Sequence, residues 1–254
     1  MTRTKITIPV VKDRSLGRDV FRGSAPAKDL VAASWIDFFD RKTNWTGYQR
    51  PFDRKRSQKA ADYAADQSTA FWPESILSIR PNSELETDQQ LGDAEKKQWK
   101  VDWDFVSSSS DGRYGQLTIE FEADETREID FGDEGKHEVA WRKAFAQVDC
   151  QHRLGIMKDS DALVTFCIFP DMDRFEEMKI FKTINDTQRR VSTSLVDTIT
   201  MLSDPDCPPH IKWGWRLNDD RNSPFEAHVD LGGWSQPAAG FLITFRGLNV
   251  AVKK

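Results

Sequence analysis

Residues 145–157 read Phe-Ala-Gln-Val-Asp-Cys-Gln-His-Arg-Leu-Gly-Ile-Met, and this stretch carries most of our interpretation of the chain. Residues 145–148, apolar except at position 147, predict a core strand, and residues 154–157 are again mostly apolar. We therefore expect a buried strand to turn into a helix between them. Packing alone has little use for an acid, an amide, an imidazole and a guanidinium side by side, whereas a phosphate-bearing ligand would use all four. These polar side chains are Asp149, Gln151, His152 and Arg153.

Each of these groups has a chemistry that suits a phosphate site. The amides at a helix start and the helix dipole favour an anion there. Arg153 offers a planar fork for phosphate oxygens, and His152 could donate to a phosphate or carry a proton near neutral pH. Asp149 could hold a divalent cation, orient His152 or activate water. The alternative is a buried polar turn whose groups are satisfied by the backbone around it.

Two further segments carry weaker signals. In residues 47–50 the glycine permits a close backbone approach, and Gln49 and Arg50 could meet a base or a phosphate. The alternative is an ordinary surface turn. In the amphipathic segment that follows residue 174, Asn185 and Gln188 could reach back to the polar turn. The alternative there is that Asn185 only ends a helix in the left-handed conformation.

Composition limits the classes of protein that the chain could be. Its 254 residues are enough to bury a large core without disulfides. Three cysteines cannot pair completely and lack metal-ligand spacing, which favours a reducing, cytoplasmic setting. No stretch approaches the apolar length that spans a bilayer, so we expect no membrane partner.

The charge balance bears on DNA binding. The formal net charge of −5 argues against a protein coated with nucleic acid, but it permits a local basic patch. The alternative for each of two basic clusters is a solvated helix face. The candidate DNA-binding residues in these clusters are Arg54, Arg56, Lys59, Arg189 and Arg190.

The order of the predicted elements indicates the α+β class, because strands and helices mix without strict alternation. Residues 100–106 and 115–121 predict a peripheral β-hairpin, and the continuous apolar run 162–169 predicts a strand buried on both faces. The acidic residues 122–138 predict a solvated loop. Two strands are expected in the tail, over 225–231 and 240–252. We expect one compact domain with a mixed sheet and flanking helices.

The three polar segments, in this order, resemble the DGQHR-domain family, which includes the DndB proteins of DNA phosphorothioation systems and relatives in deazaguanine DNA-modification clusters. The name motif is matched except that Cys150 replaces its glycine. The added Cβ matters if the turn needs a glycine conformation. The likeness covers about residues 45–230. The matching positions are Asp149, Gln151, His152 and Arg153 in the name motif, Tyr48, Gln49 and Arg50 upstream, and Phe181, Ile184, Asn185 and Gln188 downstream.

The resemblance implies a fold similar to the ParB amino-terminal and sulfiredoxin group, in which an equivalent turn lies against nucleotide phosphates. It implies a single domain over 1–254, with a core at about 45–203 and a strand-rich extension over 210–254. The chain ends at Lys254, earlier than many DndB-like proteins, so we expect a helical carboxy-terminal region of those proteins to be missing.

The resemblance further implies a nucleotide-binding and nucleotide-hydrolysing protein of a DNA-modification or phage-defence system, a nucleoside triphosphatase or a nuclease. DNA and other proteins of the same gene cluster would be its partners, and it could form oligomers. Arg153 and the helix amides would hold phosphates, His152 would protonate them, and Asp149 would bind Mg²⁺ or position water. The residues expected to contact the nucleotide or close the site are Gln49, Arg50, Gln151, Asn185 and Gln188.

Two other functions stay open from the sequence. One is a non-catalytic DNA-binding transcriptional regulator of a DNA-modification operon, supported by the basic clusters. The other is a scaffold subunit that kept the fold and lost the chemistry, which the Cys150 replacement favours.

Overall fold

The computed structural model describes residues 3–15, 17–39, 44, 46–49, 62, 73–87, 93, 99–123, 126–130, 136–140, 142–187, 192–232 and 236–253. It forms two compact units, Met1–Asp186 and Thr187–Lys254, which differs from the single domain expected over 1–254. The α+β class is confirmed, since a mixed sheet carries flanking helices.

Eight strands form the main sheet of the first unit, in the order β3-β9-β4-β10-β2-β1-β6-β5. The pairs β3/β9 and β4/β10 are parallel and the other neighbours are antiparallel. These strands are β1 (Arg3–Ser15), β2 (Arg18–Pro26), β3 (Ser34–Trp35), β4 (Ser75–Ile79), β5 (Asp102–Ser107), β6 (Tyr114–Glu122), β9 (Phe145–Asp149) and β10 (Leu163–Pro170).

The alternation of side chains explains the packing of this sheet. In β1, Ile8 and Val10 are buried while Thr7 and Pro9 are exposed, because successive strand residues point to opposite faces. The predicted hairpin is confirmed as β5 and β6 at one sheet edge. The strand predicted over 162–169 is β10, although Leu163 at its start is 70% exposed.

Part of the acidic stretch is not the loop that its charges suggested. Its described residues include two strands of a separate antiparallel sheet, β7 (Thr126–Asp130) and β8 (Lys136–Ala140). Backbone pairing across a short hairpin therefore outweighs the polar composition of the segment.

Four helices are described within or from the first unit, and two of them position the site. Asp173 caps the helix that begins at Arg174: its carboxylate accepts from the amide of Glu176 (2.8 Å), and the Glu176 carboxylate accepts from the Asp173 amide (3.2 Å). This reciprocal pair is a capping box. The helices are α1 (Ala27–Ala32), α2 (Asn82–Thr87), α3 (Gln151–Ile156) and α4 (Arg174–Thr187).

The second unit is mainly helical in its described part, so the expected strand-rich extension over 210–254 is wrong. Its only described strands are β11 (Val229–Asp230) and β12 (Ile243–Thr244), two residues each. Phe245 and Leu248 are buried at helical spacing, and that face packs against neighbouring helices. The helices are α5 (Thr193–Ser203), α6 (Pro209–Asp219) and α7 (Phe245–Lys253).

Candidate functional site

The polar turn lies where the sequence placed it, at the carboxyl end of β9. Residues 145–148 are buried, Cys150 follows in an extended conformation (φ 177°), and α3 begins at Gln151. A φ of this value lies outside the left-handed region, so the turn does not need a glycine here. Cys150 is 4% exposed and packs into the main core. We name residues 149–153 the Asp149 turn.

The most prominent contact of the Asp149 turn is an ion pair between its two ends. The guanidinium of Arg153 lies 3.2 Å from the carboxylate of Asp149, as the i,i+4 spacing allows. The same guanidinium donates to the carbonyls of Asp149 (3.2 Å) and Pro73 (3.0 Å). The Arg153 side chain is 22% exposed and the Asp149 side chain is 35% exposed. Arg153 therefore lies open to solvent on one side and is held in place on the other.

The two side chains between Asp149 and Arg153 lie against each other. The Nε2 atoms of Gln151 and His152 are 3.4 Å apart, and both residues are half-buried. The Oε1 atom of Gln151 is buried and has no hydrogen-bond donor among the described residues. The turn thus holds an amide acceptor in a sheltered position beside the imidazole.

The segment around Tyr48 packs directly behind the strand that leads into the turn. Gln49 is 1% exposed, and its amide donates to the carbonyl of Gln147 on β9. The Tyr48 hydroxyl donates to Glu177 (3.1 Å), and its ring meets that of Phe181 with centroids 5.3 Å apart. Three distant stretches of sequence, around residues 48, 147 and 181, are therefore in contact.

Gly47 explains how this segment fits. A Cβ at position 47 would lie 2.1 Å from the carbonyl oxygen of Phe38, which no side chain tolerates. The predicted close backbone approach is therefore real, and the ordinary surface turn that we weighed against it is wrong for Gln49.

Of the remaining predicted site residues, Asn185 lies in the described part of the chain. Asn185 is exposed, and its amide donates to the carbonyl of Phe181 within its own helix (2.8 Å). The amide of Asn185 is therefore engaged within its own helix, which differs from the ligand-facing role that we expected for Asn185. The predicted residues that lie outside the described part of the chain are Arg50, Gln188, Arg54, Arg56, Lys59, Arg189 and Arg190.

A buried ion network, which our sequence analysis missed, lies beneath the Tyr48 segment. Arg80 bonds both Asp37 (2.6 Å) and Glu177 (Nε to Oε1, 2.9 Å), and these two carboxylates are fully buried. Arg174 lies 3.1 Å from Asp37, and Glu84 lies 3.5 Å from Arg80. We name these five residues the ion network. One signal was readable: Arg80 follows an apolar strand directly, in a place where a charge needs partners.

The pKa values of Asp37 and Arg80 in the ion network, and of the neighbouring Tyr48, are shifted from their ordinary values. Burial alone raises the pKa of Asp37, but the charges of Arg80 and Arg174 outweigh it and hold that pKa below its ordinary value. Burial lowers the pKa of Arg80, while Glu177 and Asp37 raise it well above its ordinary value. Burial and the charge of Glu177 raise the pKa of Tyr48 well above its ordinary value. All three groups therefore keep one protonation state near neutral pH.

The described residues supply little for a metal ion on their own. They contain no group of three or more His, Cys, Asp or Glu side chains that could hold one. Asp149 is a single carboxylate at the turn. Mg²⁺ is often held by one or two carboxylates together with substrate phosphates, so a single carboxylate such as Asp149 would need further ligands from elsewhere to hold it.

Comparison of the chain with protein-family models, with curated proteins and with solved structures finds no match. Within the described residues, no helix is both long and apolar enough to cross a membrane. The geometry defines a mixed α+β protein with a polar turn at a strand end, and the resemblance to DGQHR-domain proteins stays a prediction.

Proposed function

We propose that the Asp149 turn binds a nucleoside triphosphate through its phosphates. The observation that carries the proposal is the Arg153 guanidinium, partly open to solvent and oriented by the Asp149 carboxylate and two backbone carbonyls. An arginine already held by acceptors on one side presents its remaining donors with little loss of side-chain freedom. Phosphate oxygens match that planar fork.

The Asp149–Arg153 pair sets the cost of binding. A partly exposed ion pair contributes up to about 1 kcal/mol, so a phosphate that displaces the carboxylate gives up little. The Asp149 contact is one charge-assisted hydrogen bond, whereas a phosphate can form two parallel bonds with the guanidinium. Phosphate can therefore compete for Arg153, and the exchange frees the Asp149 carboxylate for other work.

The freed Asp149 carboxylate would orient a water molecule, and His152 would donate a proton to a phosphate oxygen or to the leaving group. Mg²⁺ bound with the nucleotide neutralises phosphate charge. Gln49 takes a different role from the one its sequence suggested. Its amide is committed to the Gln147 carbonyl, so it fixes the strand that leads into the turn and does not contact the ligand.

We place this activity in a cytoplasmic DNA-modification or phage-defence system, as the motif resemblance implies. The three cysteines are free and buried, which suits a reducing compartment. DNA and other proteins of such a system are the proposed partners. The alternative of a DNA-binding regulator rests on basic residues outside the described part of the chain, so it stays a prediction.

Nucleotide binding can be tested by titrating the purified protein with fluorescent ATP, GTP, CTP and deoxynucleotide analogues in the presence of Mg²⁺. Arg153→Ala should weaken binding at least about tenfold without lowering the melting temperature. Arg113→Ala is the matched control, since Arg113 is an exposed arginine near an acid, Asp13, at 3.7 Å. The proposal fails if no nucleotide binds, or if Arg153→Ala and Arg113→Ala behave alike.

Hydrolysis is tested separately with Asp149→Asn. This change removes the partner that competes for Arg153, so nucleotide binding should be retained or strengthened. It also removes the group that orients water, so phosphate release should fall by about 100-fold or more. Binding that is kept while hydrolysis by the unaltered protein is absent would leave a binding module and remove the hydrolase.

A further inference from the structure

Helix α5 of the second unit has its aliphatic side chains on the outside. Its buried residues are Ser194, Asp197 and Thr198, and all three are polar. A surface helix normally shows the reverse arrangement, with its apolar face against the core. The aliphatic residues of α5 are instead between 40% and 70% exposed. We name these residues the α5 stripe: Leu195, Val196, Ile199 and Leu202.

Polar contacts with α7 fix the helix in this orientation. The Asp197 carboxylate accepts from the side-chain amide of Asn249 (2.9 Å) and pairs with the guanidinium of Arg246 (3.3 Å). The Ser194 hydroxyl accepts from the backbone amide of Arg246 (3.1 Å). Because Asp197 is buried, turning the helix over would separate a buried carboxylate from its partners, which is costly. These bonds therefore hold the α5 stripe outward.

The spacing within the α5 stripe matches a second copy of the stripe. Ile199 lies in its middle, Leu195 and Val196 lie about one turn before it, and Leu202 lies about one turn after it. A two-fold axis at Ile199 therefore brings Leu195 and Val196 of each copy against Leu202 of the other when the two helices run antiparallel. Every residue of the stripe then meets an apolar residue, as the self-complementary surface of a two-fold dimer requires.

The charges at the end of α5 favour the antiparallel direction. Asp204 and Asp206 follow the helix and are exposed, and the Asp204 carboxylate accepts from the Asp206 amide (2.8 Å). Carboxylates are unfavourable at the carboxyl end of a helix, where the dipole is negative, and favourable at an amino end. Antiparallel packing places the carboxylates of one copy beside the start of α5 in the other copy. Parallel packing would instead bring the carboxylates of both copies to the same end.

The size of the α5 stripe limits the strength of such a contact. Four aliphatic side chains that are about half exposed form an apolar patch on the order of 300 Å². A standard stable interface buries about 800 Å² on each partner, and weak, transient contacts bury less. The stripe is therefore suited to reversible association and is too small for a permanent dimer.

We propose that the α5 stripe is a self-association surface, through which two copies of this chain form a weak, antiparallel, two-fold dimer. Polar contacts hold the stripe outward, its spacing complements itself, and the charges at its end favour one direction of packing. The stripe contains no charged side chain, so a highly charged partner such as a nucleic acid would find no ionic contact on it.

Sedimentation velocity of the full chain, from about 5 to about 500 µM, tests self-association; we expect a dimer with a Kd of about 100 µM. Ile199→Glu places two like charges at the axis and should weaken the dimer at least about tenfold, with an unchanged melting temperature. Leu163→Glu makes the same kind of change at an exposed residue of β10 and should leave the Kd unchanged. A chain that stays monomeric would leave the stripe to another occupant and overturn the proposal, as would a dimer that survives Ile199→Glu.

Disulfide cross-linking tests the antiparallel geometry, since the three native cysteines are buried. Ile199→Cys should form a linked dimer readily under mild oxidation, because the two-fold axis brings this position of both copies together. In Leu202→Cys the two introduced thiols lie about 9 Å apart along the helices and should link at least about tenfold more slowly. Equal rates for the two variants would indicate a parallel pair or random collision and would refute the antiparallel dimer.

Discussion

Replacing Glu177 by glutamine should destabilise the first unit strongly, although the change alters one atom. The two oxygens of Glu177 accept four hydrogen bonds, from Ser78, from Nε and Nη2 of Arg80, and from Tyr48. A carboxamide has one acceptor oxygen, so two of these bonds are lost and Arg80 keeps only part of its buried countercharge.

The size of the effect follows from burial. Each lost bond to a charged group contributes about 1.5 kcal/mol or more, and breaking a buried ion pair costs about 3–5 kcal/mol. We therefore expect Glu177→Gln to cost about 3 kcal/mol, which lowers the melting temperature of a unit of this size by about 6–12 °C. Thermal unfolding followed by circular dichroism measures it.

The neighbouring Glu176 supplies the control. Glu176 pairs with Arg18, and the side chains are 28% and 47% exposed, so Glu176→Gln should cost under about 1 kcal/mol. Glutamine also preserves the capping box of α4. If both variants melt within about 2 °C of each other, the ion network does not stabilise the unit as its geometry implies.

Three further outcomes are expected. Ion pairs hold the pKa of Asp37 below its ordinary value, so the stability that the ionised carboxylate contributes is complete above about pH 4 and is lost as the pH falls further. When the stability is measured across the acid range, Asp37→Asn should reduce this loss of stability. Burial raises the pKa of Cys150 and raises that of Cys167 to about 11, so iodoacetamide should label both only in urea; labelling of either in the native protein would contradict this. Gly47→Ala forces a Cβ against Phe38 and should cost about 1–3 kcal/mol in chemical denaturation, whereas an unchanged midpoint would show that the segment can shift.

The Asp149 turn could be predicted because its signal is local. An apolar run that ends in four polar residues identifies a strand-to-helix turn, and the i,i+4 spacing of Asp149 and Arg153 suffices for their ion pair. The sequence does not show that Asp149 already engages the Arg153 guanidinium, which we had assigned to a ligand.

The ion network could not be predicted, because its members look like surface charges. Glu177 lies two residues after Phe175 in α4, and of the two the apolar Phe175 is the residue type that is usually buried. In the structure Phe175 is 73% exposed and Glu177 is fully buried. Arg80 pairs with Glu177 and Asp37 pairs with Arg174, and these partners from elsewhere in the chain reverse the usual preference. Contacts with other parts of the chain also decide α7, which is a helix although its valines favoured a strand.

The pairing of β2 with β10 has a consequence for synthesis of the chain. Pro26 pairs with Leu163, 137 residues later, and all the other residue pairs between β2 and β10 also join distant positions. At a translation rate of about 5–20 residues per second, β2 waits roughly 7–27 s before its partner leaves the ribosome. During that interval β2, whose Val20, Phe21 and Ala25 are buried in the folded chain, has one unpaired edge, so nascent chains of this protein should depend on chaperones until residue 170 has emerged.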